Sequence, residues 1–300
     1  MLAALFSATA LQAQDVRFLP EDVTLYNKVM PLLVAERTAH PEAGMPALIL
    51  TAAQAMLGTP YVANTLEKEP ETLTVSLSQT DCILFVEACA CLAYTSYQND
   101  TSFEAYCDHL RTFRYRNGIT DGYGSRVHYT SEWILQGASR PGPAGKGQLL
   151  REVSQDIAHT SLAQTFSFMS KHPDKYPALA AHPEYIPLIA QTEATLNAQT
   201  YYFIPKEKLA DCLDLIQDGD MICFVTNTEG VDISHVAYAY IYHYCTHDCC
   251  EDGTGCSNGQ RKVGFLHASS VAKEVVKDSQ TLLEYVLSRK SCTGIRVVRF

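Results

Sequence analysis

The sequence predicts an α+β fold, with helices first and an antiparallel sheet afterwards. Apolar residues recur at helical spacing, with loops between them, over residues 20–198. Beyond residue 200 the pattern changes to period two and continuous apolar runs. Size and composition agree: 300 residues, 47% apolar and 19% charged, give a globular chain with an ample core. Residues 14–300 read as one domain. The formal charge of −10 argues against nucleic acid as a partner, because a phosphate backbone needs a basic surface.

Taken in order, residues 21–37 and 43–57 carry helical patterns. Glu21-Asp22 opens the first, and Pro31 predicts a kink in it. Pro46 sits early in the second, where proline is tolerated. Gly58-Thr59-Pro60-Tyr61 then stops the helix and turns the chain. Residues 62–79 are polar and read as a loop. Helices are expected at about 82–97 and 102–114. Residues 115–147 crowd Arg116, Arg126, Arg140, His128 and the sole tryptophan, Trp133, into a stretch with little periodicity. Such a loop reads either as functional or as surface pinned by aromatic packing. Residues 161–171, 173–181 and 184–198 read as short helices separated by His-Pro pairs. Strands are expected at 200–204, 220–226, 234–244, 262–268 and 294–299, with a helix at about 279–288.

Residues 1–13 look like the end of a secretory signal, apolar and too short to span a bilayer. Ala8-Thr9-Ala10 fits the small-x-small cleavage rule, which places cleavage within 10–14 and predicts export. The alternative is an ordinary apolar N-terminal helix. No other stretch is long and apolar enough to be a membrane span. Eleven cysteines suit an exported protein; setting Cys82 aside leaves ten (11 − 1), an even number that permits disulfides without fixing their pairs.

The chemistry concentrates at residues 80–94. Asp81 is a good helix N-cap. Phe85, Cys89 and Leu92 follow at spacings of four and three, one face of a buried helix. Cys82 therefore falls in the first turn, where free N–H groups and the helix dipole favour a thiolate. Cys82 is the candidate nucleophile; the competing reading is one more buried cysteine, like Cys89 and Cys91. A thiol nucleophile needs a base, and the base an orienting partner. His235 and His267 lie in strand contexts that could bring both to one face, His235 as base and His267 holding its tautomer.

A helix-borne Asp-Cys, then a strand-borne His-Val, then a polar residue on the next strand resembles the NlpC-type papain-like cysteine peptidases of bacterial cell walls. Gly58-Thr59-Pro60-Tyr61 is similar to that superfamily's Gly-x-Pro-Tyr element. More closely, the chain resembles the N-acetylmuramoyl-L-alanine amidase-like branch. The matching pieces include Thr65-Leu66-Glu67, Asp81-Cys82 with Phe85-Val86-Glu87, and Tyr115-Arg116-Asn117-Gly118. Ser125-Arg126-Val127-His128-Tyr129 with Trp133, Phe168-Met169-Ser170 and Tyr202-Phe203-Ile204-Pro205-Lys206 follow. Ser234-His235-Val236 and His267-Ala268-Ser269-Ser270 complete the set. The likeness runs from about residue 25 to 300.

The resemblance implies N-terminal helices packed on an antiparallel sheet or half-barrel, with extra family-specific helices. It implies a catalytic set of Cys82, His235 and His267, with no cofactor and no metal. Tyr61 would stand by the thiolate and help hold the oxyanion. Asp81, Ser125, Arg126 and Ser234 would line the substrate site. The implied reaction is hydrolysis of the amide between N-acetylmuramic acid and L-alanine in small 1,6-anhydro-muropeptides, in the bacterial periplasm. Two rivals remain at this level: a γ-D-glutamyl-diamino acid endopeptidase of the same superfamily, and a non-catalytic muropeptide-binding protein. The oligomeric state is not readable.

Thr80 departs from the branch, which usually has an aromatic residue before Asp-Cys, and Glu132 stands where it usually has Asp. Residues 243–259 look like an insertion carrying Cys245, Cys249, Cys250 and Cys256 with His243 and His247. That cluster reads as a disulfide-stapled hairpin tip, or as a zinc site supporting a metal-dependent hydrolase.

Overall fold

A computed structural model describes residues 16–244 and 259–300. The expected signal remnant and most of the cysteine-rich insertion lie outside the described residues. Among the described residues no cluster of metal-ligating side chains forms and no helix is long and apolar enough to cross a membrane.

The chain opens with a two-residue strand β1 (Val16–Arg17) and helices α1 (Pro20–Ala39) and α2 (Met45–Ala55). Helix α1 runs unbroken through Pro31, so the expected kink does not break it. Its first turn is fixed by Asp22, fully buried, whose carboxylate accepts from the Leu19 backbone and from the N–H groups of Leu77 and Ser78. That bond set ties down the 62–79 segment. The segment is not wholly loop, since β2 (Leu73–Thr74) pairs in parallel with β1.

Helix α3 (Cys82–Ser96) packs on α2, on α4 (Phe103–Arg114), and on strands β7 (Ile233–Tyr244) and β8 (Gln260–Ser269). The Phe85, Cys89 and Leu92 face is fully buried, as its spacing predicts. Phe85 and Leu92 each contribute roughly 1.5–3 kcal/mol on leaving water. Tyr238, fully buried on β7, donates its hydroxyl to the Val86 carbonyl at 2.7 Å and pins helix to sheet. The irregular 115–147 stretch contains a helix that its sequence did not announce, α5 (Thr130–Ala138), which buries Trp133 against Phe113. Short elements follow: β3 (Arg151–Glu152), α6 (Ser154–Ala158), β4 (Thr160–Leu162), α7 (Phe168–Lys171), α8 (Pro177–Ala181) and α9 (Ile186–Asn197). The expected helix 161–171 is therefore a strand followed by one helical turn.

The sheet is completed by β5 (Tyr201–Pro205), β6 (Met221–Thr226), β9 (Glu274–Lys277) and β10 (Cys292–Arg299). Helix α10 (Leu209–Cys212) links β5 to β6, and α11 (Leu282–Ser288) links β9 to β10. Strand order is β4-β5-β10-β6-β7-β8-β9, every pairing antiparallel, with β3 added beside β10. Alternation divides β7: Val236 and Tyr238 join the core under α3, while Ala237 and Ala239 join a second core with Phe224, Phe265 and Leu282. Helices on an antiparallel sheet make this an α+β protein, as the sequence predicts.

Candidate active site

Asp81 caps α3, its Oδ1 accepting the Leu84 N–H at 3.0 Å. The cap fixes Cys82 at the first helical position. Cys82 is only partly buried; every other free cysteine among the described residues is buried. Residues 58–62 approach in extended form. Gly58, at φ +81°, turns the chain out of α2, and its N–H donates to Val275 at 2.9 Å. Tyr61 donates its backbone N–H to Lys273, and Val62 to Thr80. Tyr61 is thereby clamped between β9 and the residue before Asp81, beside Cys82. Thr80, the departure from the family pattern, is fully buried in this clamp.

Strands β7 and β8 pair from Tyr244–Gln260 only as far as Tyr238–Leu266. Beyond that point they part, and the Val236 N–H faces the Cys82 thiol. His235 adjoins Val236, and His267 pairs with Val276 of β9. The parted strands leave room for the two imidazoles to meet edge to face at 4.9 Å, with His235 Nε2 2.6 Å from His267 Nδ1. Phe224, Phe265 and Tyr285 wall them in. On the far side, His267 Nε2 lies 3.2 Å from Asp278 Oδ2, inside ion-pair range but out of line for a closed hydrogen bond. Asp278 was not anticipated: it follows β9 as an ordinary turn residue, with nothing local to mark it.

Burial governs the site's protonation. It pushes the Cys82 thiol up to about 12, with the Asp81 carboxylate adding to the effect, against the N–H groups of Val236, Ile83 and Cys82. The lowering expected from the helix N-terminus is outweighed by desolvation and a neighbouring carboxylate. Burial also pushes His235 down to about 3, helped by His267 and Arg289. His267 is lowered too, chiefly by burial, with Asp278 acting the other way. Both shifts favour the uncharged forms of the thiol and the imidazole. Tyr61 is raised by burial, then by Cys82 and Asp81, so its hydroxyl keeps its proton.

Next to the first turn of α3 lies a cavity of about 290 Å³ whose lining includes Ile83, Glu67, Arg126, Trp133, Met169 and Ile233. Leu66, Glu67 and Tyr123 separate it from a wider groove of about 800 Å³ that His182 and Tyr185 also line. Arg126 is buried in the cavity wall, bonded to Glu67 at 2.8 Å, 3.2 Å from Glu71, and lying over the Tyr123 ring. The structure thus brings Tyr61, Asp81 and Cys82 together at the start of α3 and pairs His235 with His267; the two groups are linked through Val236, which follows His235 and turns its N–H to the thiol, and Arg126 lies in the adjoining cavity. Two expected substrate residues are placed differently. Ser125 closes its own turn, donating to Gly122 and accepting from the Asp121 N–H, and lines another groove with Arg116 and Leu188. Ser234 is exposed and donates to the Phe224 carbonyl at 3.3 Å.

Helices on an antiparallel sheet carry a thiol at a helix N-terminus and, on neighbouring strands, a pair of histidines in contact. The chain belongs to the AmiA-like, N-acetylmuramoyl-L-alanine amidase-like family, whose model matches residues 51–295. Among solved structures it is similar to an N-acetylmuramoyl-L-alanine amidase from Bacteroides uniformis, with 32% identity and a TM-score of 0.72 over 85% of this chain and 98% of that one. A Bacteroides fragilis protein provisionally named a xylanase shares 34% identity at a TM-score of 0.70, over 84% of this chain and 100% of its own. A Legionella pneumophila protein, 17% identical with a TM-score of 0.58, shares the fold over 93% of this chain and 96% of its own. No protein of curated function matches the chain.

Proposed function

We propose that the protein is a cysteine amidase that cuts the N-acetylmuramoyl–L-alanine bond of small peptidoglycan fragments, with the papain-like arrangement of a helix-borne thiol and a strand-borne histidine. The observation that carries the proposal is the 2.6 Å contact between His235 and His267 at the parted strands where the Cys82 thiol meets the Val236 N–H. His235 takes the thiol proton as Sγ attacks the lactyl carbonyl. The Tyr61 hydroxyl and the backbone N–H groups at the start of α3 hold the oxyanion. The C–N bond breaks as the imidazolium returns its proton to the L-alanine nitrogen. A water deprotonated by His235 then attacks the thioester, releasing the lactyl carboxylate and restoring the thiol. Xylan hydrolysis needs two carboxylates flanking the bond; the thiol and paired histidines here suit acyl transfer.

Incubating the wild type and Cys82→Ala with a purified 1,6-anhydro-muropeptide tests this by mass spectrometry of the products. Free anhydro-sugar and an intact stem peptide, made by the wild type alone, are expected. A sugar still bearing two amino acids would move the cut to the γ-D-glutamyl bond. Turnover retained by Cys82→Ala would remove the nucleophile from the proposal.

A further inference from the structure

We propose that Asp278 is a positioning residue of the reaction, acting through His267 to set the proton positions of His235. The inference rests on the cysteine–histidine reading above and extends the catalytic set by one member. An ionised carboxylate only accepts hydrogen bonds. With Asp278 Oδ2 3.2 Å from His267 Nε2, the proton of neutral His267 belongs on Nε2. Its Nδ1 is then a lone pair, and the 2.6 Å contact obliges His235 Nε2 to donate. That leaves His235 Nδ1 bare, the state a general base for Cys82 requires. With the opposite arrangement, His267 Nδ1 carries the proton and His235 Nδ1 is already occupied.

Asp278 is built for this task. Its backbone N–H donates to Phe265 at 3.1 Å, and its Oδ1 accepts the Gln280 N–H at 2.8 Å, so Oδ2 is the oxygen left for His267. His267 is buried, and its Nε2 closes no hydrogen bond. Catalytic contacts of this kind are often off line before substrate binds and tighten on binding. The other charged group facing the pair is Arg289, which stands over the Tyr285 ring and opposes positive charge on both imidazoles. Lys277 is turned to the Tyr240 ring. Asp278 is thus the counter-charge for the imidazolium that His235 becomes during attack, relayed through a neutral His267.

The test compares wild type, Asp278→Asn, Asp278→Glu and His235→Ala in two measurements. The first is the rate at which iodoacetamide alkylates Cys82 at pH 7, read on the peptide that carries it. The second is kcat and KM on an anhydro-muropeptide. Asn keeps an oxygen for the Gln280 N–H but loses the charge. Asp278→Asn is expected to lower both alkylation and kcat about tenfold or more with KM little changed, and Glu to recover most of the loss. Asp278→Asn reacting like the wild type would overturn the inference. So would Glu falling as far as Asn, because that would make Asp278 a packing residue. If His235→Ala is alkylated as fast as the wild type, the cysteine–histidine reading itself falls, independently of Asp278.

Discussion

Removing Glu87 should destabilise the fold through the helix that carries Cys82. Glu87 lies on the second turn of α3, buried, and accepts from Arg114 through Nε at 2.8 Å and Nη2 at 2.5 Å. Arg114, equally buried, otherwise has the Thr74 carbonyl as its partner. Glu87→Ala strips two charge-assisted bonds, each contributing about 1.5–3 kcal/mol. It also strands a guanidinium out of water, and breaking such a pair typically costs about 3–5 kcal/mol. At about 2 °C per kcal/mol in a chain of this size, Tm should fall by roughly 6–10 °C. The companion variant, Glu87→Leu with Arg114→Met, replaces the pair by apolar groups of similar volume and should recover most of that loss. Thermal unfolding by circular dichroism, run as a double-mutant cycle, reads both. A loss under about 1 kcal/mol for Glu87→Ala, or a double variant no better than the single, would refute the reasoning.

Two further predictions concern the site. Tyr61→Phe removes a protonated hydroxyl beside the thiol and should lower kcat about tenfold to a hundredfold with little change in KM; an unchanged kcat would take Tyr61 out of the oxyanion hole. His235 is held down to about 3 from an ordinary value of 6.5, so between those values the unfolded chain binds a proton that the folded one refuses. Stability should therefore rise with pH through that window. The slope measured by urea unfolding should flatten in His235→Gln and would contradict the burial argument if it did not.

The helices that carry apolar spacing were legible, because burial on one face leaves a period. The same holds for β6, β7, β8 and β10, whose apolar runs come from being covered on both sides. Helix α5 was hidden by its neighbours: Arg126 to Tyr129 before it and the glycines after it read as irregular, and the burial of Ser131, Trp133, Ile134 and Gly137 shows only in the folded chain. Strands β2 and β9 were missed for a different reason. Two to four residues cannot display a period, and both are held by partners far away in sequence, β1 and β8.

The site shows where local reading fails. Cys82, His235 and His267 stand out because each lies in a distinctive short context. What makes them a site is the point at which β7 and β8 stop pairing, and no residue type encodes that alone. Continued pairing past Tyr238–Leu266 would occupy the Val236 N–H and leave no opening for the thiol. The clamp of residues 58–62 on β9 and Thr80 supports the opening, because it holds β8 and β9 to the segment before Cys82. The same enclosure that assembles the groups desolvates them, which is why the thiol lies high and the imidazole low. Both shifts favour uncharged groups, so charge separates as bonds change. A carboxylate one imidazole away from the base, as Asp278 is, answers that need without protonating the base beforehand.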